Sequence, residues 1–97
     1  MDLYDIFKKL KELSTLAHSD IVRIDNKVNS IIENNVRNTS YLETTYDDLF
    51  NYSFICYEEV LPIFRKLNNY VSTFNKELSN DYISLFNDYF DTKTRKL

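Results

Sequence analysis

The chain has 97 residues, of which 43% are apolar, and this composition predicts one folded domain spanning residues 1–97. It contains no glycine and a single proline, which favours helices and excludes the phosphate-binding loops and tight turns that depend on glycine. The net charge of −3, the single cysteine and the short apolar runs exclude a basic nucleic-acid footprint, a disulfide framework and a membrane-spanning segment. The cytoplasm is the expected location, although leaderless export would leave no trace in the sequence.

Apolar residues recur at steps of three and four along most of the chain, which is the spacing of one helix face. The sequence therefore predicts an all-α fold, an antiparallel bundle or hairpin of three to four long helices. We expect helix in more than about 70% of the residues and no strand.

The first predicted helix covers about residues 3–36. Polar residues between Ala17 and Ile21 leave two alternatives, namely one continuous helix or two helices with a new N-cap at Ser19 or Asp20. We favour the continuous helix because the apolar stripe crosses this point by a step of four. The stripe consists of Leu3, Ile6, Phe7, Leu10, Leu13, Leu16, Ala17, Ile21, Ile24, Val28, Ile31, Ile32 and Val36.

The second predicted helix covers about residues 41–61 and opens at Ser40. Ser40 and Glu43 have the spacing of a capping box, in which the serine side chain accepts a backbone N–H and the glutamate reaches back to the cap residue. Ser40 is therefore the predicted N-cap.

The third and fourth predicted helices cover about residues 62–78 and 81–91. Pro62 suits the first position of a helix, where its missing N–H costs nothing. The apolar stripe keeps its phase past Pro62, which indicates a kink or a junction there and not a surface loop. A second joint is expected at residues 79–81.

The sequence offers few candidates for catalysis. His18 is the only histidine, and no glutamate has a histidine three residues later, so the di-metal pattern of helical bundles is missing. Cys56 is followed closely by Glu58 and Glu59, which disfavour a reactive thiolate, and it reads as a small buried hydrophobe. We therefore predict no enzyme, no cofactor and no metal site.

The segment 41–61 holds five acidic residues, no lysine or arginine, and six aromatic residues. One interpretation is a solvated acidic face with aromatic residues in the core. The other is a docking surface for a protein with a basic surface, because tyrosine and electrostatic attraction both favour binding. On the second interpretation the candidate binding residues are Asp47, Asp48, Tyr52, Glu58 and Glu59.

The predicted function is binding of another protein, without nucleic acid or membrane as a partner. An acidic helical chain of this kind could act as an inhibitor, antitoxin or immunity protein of the phage or mobile-element type, and in size and helicity it resembles bacteriocin immunity proteins. The alternative is a structural or secretion-related hairpin that pairs with itself or with a sister chain. In size it is similar to the WXG100 secretion proteins, but it has neither Trp nor Gly for their turn motif.

Overall fold

Helices make up nearly all of the chain that the structure describes. The structure is a computed structural model, and it describes residues 3–53 and 55–95, without the side chains of residues 6–11, 13–15 and 89–95. The helices are α1 (Leu3–Asn34), α2 (Thr39–Ser53), α3 (Tyr57–Ser72) and α4 (Lys76–Arg95), with 32, 15, 16 and 20 residues. The described ranges contain no strand, so the all-α prediction and its helical fraction are confirmed.

The first helix is continuous, as predicted, and it passes through residues 19–20 without a break. It ends where Asn35 adopts a left-handed backbone conformation with a φ of 54°. The N–H groups of Val36 and Asn35 donate to the carbonyls of Ile31 and Ile32, at 3.1 and 3.4 Å. This is the Schellman arrangement, in which glycine usually takes the left-handed position. Asparagine takes it here because it tolerates a positive φ better than most residues.

The residue that caps α2 is Asn38, not Ser40. The backbone N–H of Tyr41 donates to Asn38 Oδ1 at 3.1 Å, and that of Leu42 donates to the Asn38 carbonyl at 3.0 Å. Ser40 lies inside the first turn of the helix. The predicted capping box of Ser40 and Glu43 is therefore wrong, because Asn38 provides an equally good acceptor earlier in the chain.

This cap gives a direct prediction. Replacing Asn38 by alanine should lower the free energy of unfolding by about 0.5–2 kcal/mol, because the N–H of Tyr41 loses its acceptor. Urea titration followed by far-UV circular dichroism measures the change. Ser40→Ala is the matched control and should leave the stability nearly unchanged. Equal destabilisation by the two substitutions would contradict the assignment of the cap.

The chain reverses direction between α2 and α3, inside the predicted helix 41–61. The N–H groups of Ile55 and Cys56 both donate to the Tyr52 carbonyl, at 3.0 and 2.9 Å. The Cys56 carbonyl then accepts the N–H groups of Glu59 and Val60 in the first turn of α3. The prediction of one helix is wrong because the reversal lets the apolar faces of the two halves pack on each other, and such packing supplies most helix stability. Phe54, which the prediction placed in this helix, lies outside the described residues.

The only proline lies inside α3. Pro62 is exposed in the second turn of this helix, so the predicted helix start at residue 62 is wrong, whereas the expectation that no surface loop surrounds it is confirmed. Residue 62 cannot donate a hydrogen bond to the carbonyl of Glu58. Both residues are exposed, so water can reach that carbonyl and the cost of the proline stays small.

The fourth helix begins earlier than predicted. Asn75 caps it, with Oδ1 accepting a backbone N–H of the first turn at 3.1 Å. The predicted joint lies inside α4, where Ser79 is buried and its hydroxyl donates to Asn68 Oδ1 at 3.0 Å. The predicted boundaries of helices 62–78 and 81–91 are therefore wrong. The serine in the predicted joint lies inside α4 and forms a hydrogen bond to α3.

The core lies between the facing sides of α1, α2 and α3, and α4 packs against α2 and α3 from the other side. Among the residues of α1 whose side chains are described, Ala17 is the first that is buried. The buried core cluster consists of Ile21, Ile24, Val28, Ile31, Leu42, Tyr46, Leu49, Val60, Ile63, Phe64, Leu67, Val71 and Phe86.

One buried polar contact joins three helices. Asn68 Oδ1 on α3 accepts the hydroxyl of Tyr46 on α2 and that of Ser79 on α4, each at 3.0 Å. Burial and the neighbouring Tyr82 raise the pKa of Tyr46, so its hydroxyl remains a donor throughout the neutral range. Because an unpaired buried hydroxyl is costly, this contact fixes how α2, α3 and α4 pack together.

Candidate functional site

The structure places the two residues considered as candidates for catalysis, His18 and Cys56, on α1 and at the start of α3. His18 Nδ1 lies 2.9 Å from Glu59 Oε2, and both side chains are exposed. Cys56 is half-buried at the N-cap position of α3, so it is less buried than predicted. In the described part of the chain, no three metal-ligating side chains converge. Nor does any helix among those residues have the length and apolar character needed to cross a membrane.

Three of the five predicted binding residues face α1. Asp48 Oδ2 lies 3.9 Å from Lys27 Nζ, and Glu59 pairs with His18. The Tyr52 hydroxyl donates to Asp20 Oδ2 at 2.5 Å. This hydrogen bond, together with burial and the charge of the aspartate, raises the pKa of Tyr52. These side chains hold α1 against the ends of α2 and α3.

The other two predicted binding residues, Asp47 and Glu58, are exposed on different helices. The reversal after α2 places Asp47 on α2 and Glu58 on α3. Asp47 lies beside a groove that runs between α2 and α4.

The groove between α2 and α4 has a volume of about 500 Å³. We call it the acidic groove, with a floor of Phe50, Tyr82 and Leu85 and a rim of Glu43, Asp47 and Asp81.

The floor of the acidic groove is apolar and firmly supported. Tyr82 stacks on Tyr46, with ring centroids 4.0 Å apart and planes within 7°. The Phe50 ring lies 5.9 Å from that of Tyr82 and 5.5 Å from that of Phe86. Leu85, by contrast, is 55% exposed. The groove therefore presents an ordered aromatic surface next to a large aliphatic side chain that the chain itself leaves uncovered.

The rim of the acidic groove is uniformly negative. Burial raises the pKa of Tyr82, and the nearby carboxylates of Asp47, Glu43 and Asp81 raise it further. All three carboxylates are exposed, and within the described residues none of them lies within ion-pair distance of a lysine or arginine. Their charge is thus available to a molecule outside the chain.

A second groove, of about 370 Å³, lies between α3 and α4. Its lining mixes Tyr57 and Ile83 with Arg65 and the amides of Asn69 and Asn87. It has neither a continuous apolar floor nor a rim of one charge. The acidic groove is therefore the better candidate for a docking site.

Sequence reasoning identified Asp47 but missed the rest of the acidic groove. Glu43 was assigned to a capping box, and Asp81 to a joint between helices. Tyr82 and Leu85 lie more than thirty positions from Asp47, and only the packing of α4 beside α2 brings them together. The spacing of Asp81 and Leu85, one helical turn apart, is the only local signal that they share a face.

Comparison with protein-family models, with curated proteins and with solved structures finds no match for this chain. The function is therefore argued from the acidic groove and its surroundings.

Proposed function

We propose that this protein is a small non-enzymatic binder that seats a basic amphipathic helix of a partner protein in the acidic groove. An amphipathic helix binds a groove by laying its apolar face on an apolar floor. Phe50, Tyr82 and Leu85 supply that floor, and the exposure of Leu85 is the observation that carries the proposal.

The charge of the rim supports a basic partner. Glu43, Asp47 and Asp81 are three exposed carboxylates around one apolar surface. Lysine or arginine on the polar side of a docked helix would meet them, which raises association rates and disfavours acidic partners. A cytoplasmic inhibitor, antitoxin or immunity protein could block its target by covering such a basic helix.

A defined peptide tests the proposal. The probe is a synthetic helix with leucine on one face, lysine on the other and a single tryptophan. The chain has no tryptophan. Fluorescence excited at the long-wavelength edge of tryptophan absorption, where tyrosine does not absorb, therefore comes from the probe alone. We expect the probe to bind and its affinity to fall as salt rises, because the charges that attract it are screened.

Two matched variants locate the binding. Asp47→Lys with Asp81→Lys reverses the rim and should weaken probe binding about tenfold or more, which corresponds to about 1.4 kcal/mol. Glu33→Lys with Glu58→Lys makes the same change in net charge at exposed positions outside the groove, and it should change affinity much less. Equal losses in the two variants would show a general charge effect and would refute the groove as the site.

A further inference from the structure

The first half of α1 extends past the corner between α2 and α3. Asp20 contacts Tyr52 near the end of α2, and His18 contacts Glu59 near the start of α3. The corner between α2 and α3 therefore lies level with residues 18–20 of α1. Residues 3–16, which we call the arm, continue the helix past this corner.

Where the side chains of the arm are described, they include large exposed apolar groups. Leu3 is 71% exposed, Tyr4 is 73% exposed and Leu16 is 65% exposed. Isolated exposed apolar residues are ordinary, and these three do not share a face, because positions 3, 4 and 16 of a helix lie about 100° or more apart around its axis. The exposed Leu3 belongs to the apolar stripe that the sequence of the arm continues.

The sequence of the arm continues the pattern of the buried face of α1. That face is buried at Ala17, Ile21, Ile24, Val28 and Ile31, in alternating steps of four and three. The same steps taken backwards from Ala17 reach Ser14, Leu10, Phe7 and Leu3, of which three are apolar. The sequence of the arm therefore predicts an amphipathic helix, with an apolar stripe in register with the face that is buried farther along α1.

The arm is also basic in its centre. Lys8, Lys9 and Lys11 lie within four consecutive positions, against Asp5 and Glu12 as the acids of the segment. An amphipathic helix with three clustered lysines has the charge and the apolar face expected of a helix that binds in the acidic groove. The arm spans about 21 Å at 1.5 Å per residue, which is longer than the two helical turns of α2 that line the groove.

We propose that the occupant of the acidic groove is the arm of a second copy of this chain. This inference rests on the proposed function of the groove as a site for a basic amphipathic helix. A copy cannot fill its own groove, because its arm continues α1 without a break past the corner, whereas the groove lies between α2 and α4. Two copies that each place an arm in the other's groove form a closed two-fold dimer.

A charge exchange tests the dimer in the full-length chain. The arm variant carries Lys8→Glu, Lys9→Glu and Lys11→Glu, and the groove variant carries Glu43→Lys, Asp47→Lys and Asp81→Lys. In each variant alone the arm and the groove carry like charges. Sedimentation should show dimerisation of the unmodified chain and a loss of affinity of about tenfold or more in each variant.

The mixture of the two variants provides the decisive result. Each arm then faces a groove of opposite charge, so the mixture should form heterodimers with the affinity of the unmodified chain. A control with Glu33→Lys, Glu58→Lys and Glu77→Lys changes the same number of exposed acids outside the groove, and it should dimerise normally. Thermal unfolding followed by circular dichroism verifies that every variant is folded.

The outcomes separate this inference from the proposed function. A folded, unmodified chain that stays monomeric up to about 0.1 mM, yet binds the tryptophan probe, overturns the dimer and leaves the groove as a site for another protein. A dimer that the mixture fails to restore also overturns the inference. If the inference is correct, the arm variant binds the probe more tightly than the unmodified chain, because its groove is vacated.

Discussion

Replacing Asn68 by leucine should lower the free energy of unfolding by about 2–6 kcal/mol. Asn68 Oδ1 is the acceptor for the hydroxyls of both Tyr46 and Ser79, and all three side chains are buried. The substitution leaves two buried donors without an acceptor, and each costs about 1–3 kcal/mol. Urea unfolding followed by circular dichroism measures the loss.

Two further variants verify this explanation. Asn69→Leu changes the same residue type at the neighbouring exposed position and should alter stability by less than about 0.5 kcal/mol. Adding Tyr46→Phe and Ser79→Ala to Asn68→Leu removes the stranded hydroxyls and should restore much of the lost stability. If the triple variant is less stable than Asn68→Leu alone, lost packing and not the polar contact explains the effect.

Replacing Phe64 by alanine should cost about 3–5 kcal/mol, the usual range for a buried phenylalanine. Phe64 is 5% exposed and stacks on Phe86 with ring centroids 4.2 Å apart. It also meets the rings of Tyr46 and Phe50 edge-on, at 5.7 and 6.1 Å. The loss therefore reaches α2, α3 and α4 together, including the aromatic floor of the acidic groove.

The matched control for this substitution is Phe74→Ala. Phe74 is half-buried in the turn after α3, beside Tyr70 and under the guanidinium of Arg37. Its removal should cost clearly less, because water can fill part of the space. A loss at Phe74 equal to that at Phe64 would contradict the explanation of the difference by burial.

The fold class and the course of α1 follow from the sequence. The step of four from Ala17 to Ile21 predicts a continuous helix. Both residues are buried in the structure, as two residues on one helix face should be. The same reasoning fails at the α2–α3 corner, where the apolar pattern passes through Ile55 and Cys56 without a glycine, proline or polar run. The reversal there is decided by the packing of α3 on α2, which no local pattern records.

The loops show how a chain without glycine ends its helices. Asn35 takes the left-handed position after α1, and Asn38 and Asn75 cap α2 and α4. Asparagine serves in both roles because its short amide accepts backbone N–H groups and tolerates positive φ. Asparagine is abundant in the sequence. No local pattern marks which asparagines cap a helix or take the left-handed position.

Of the predicted binding residues, Asp47 lines the acidic groove. An acidic, tyrosine-containing surface on the second helix was expected, and Asp47 belongs to the acidic groove. Asp48, Tyr52 and Glu59 are instead engaged with α1. Which acids remain available depends on the tertiary neighbours of each side chain, and these follow only from the arrangement of the helices.

The most direct test of the account is to map where a basic amphipathic helix binds. Titration of the isotope-labelled chain with the lysine–leucine probe, followed by amide chemical shifts, locates the contact residue by residue. The account predicts that the largest shifts cluster around Phe50, Tyr82 and Leu85, with Asp47 and Asp81 beside them. Shifts centred on the His18–Glu59 corner or on the groove between α3 and α4, with those residues unchanged, would contradict it.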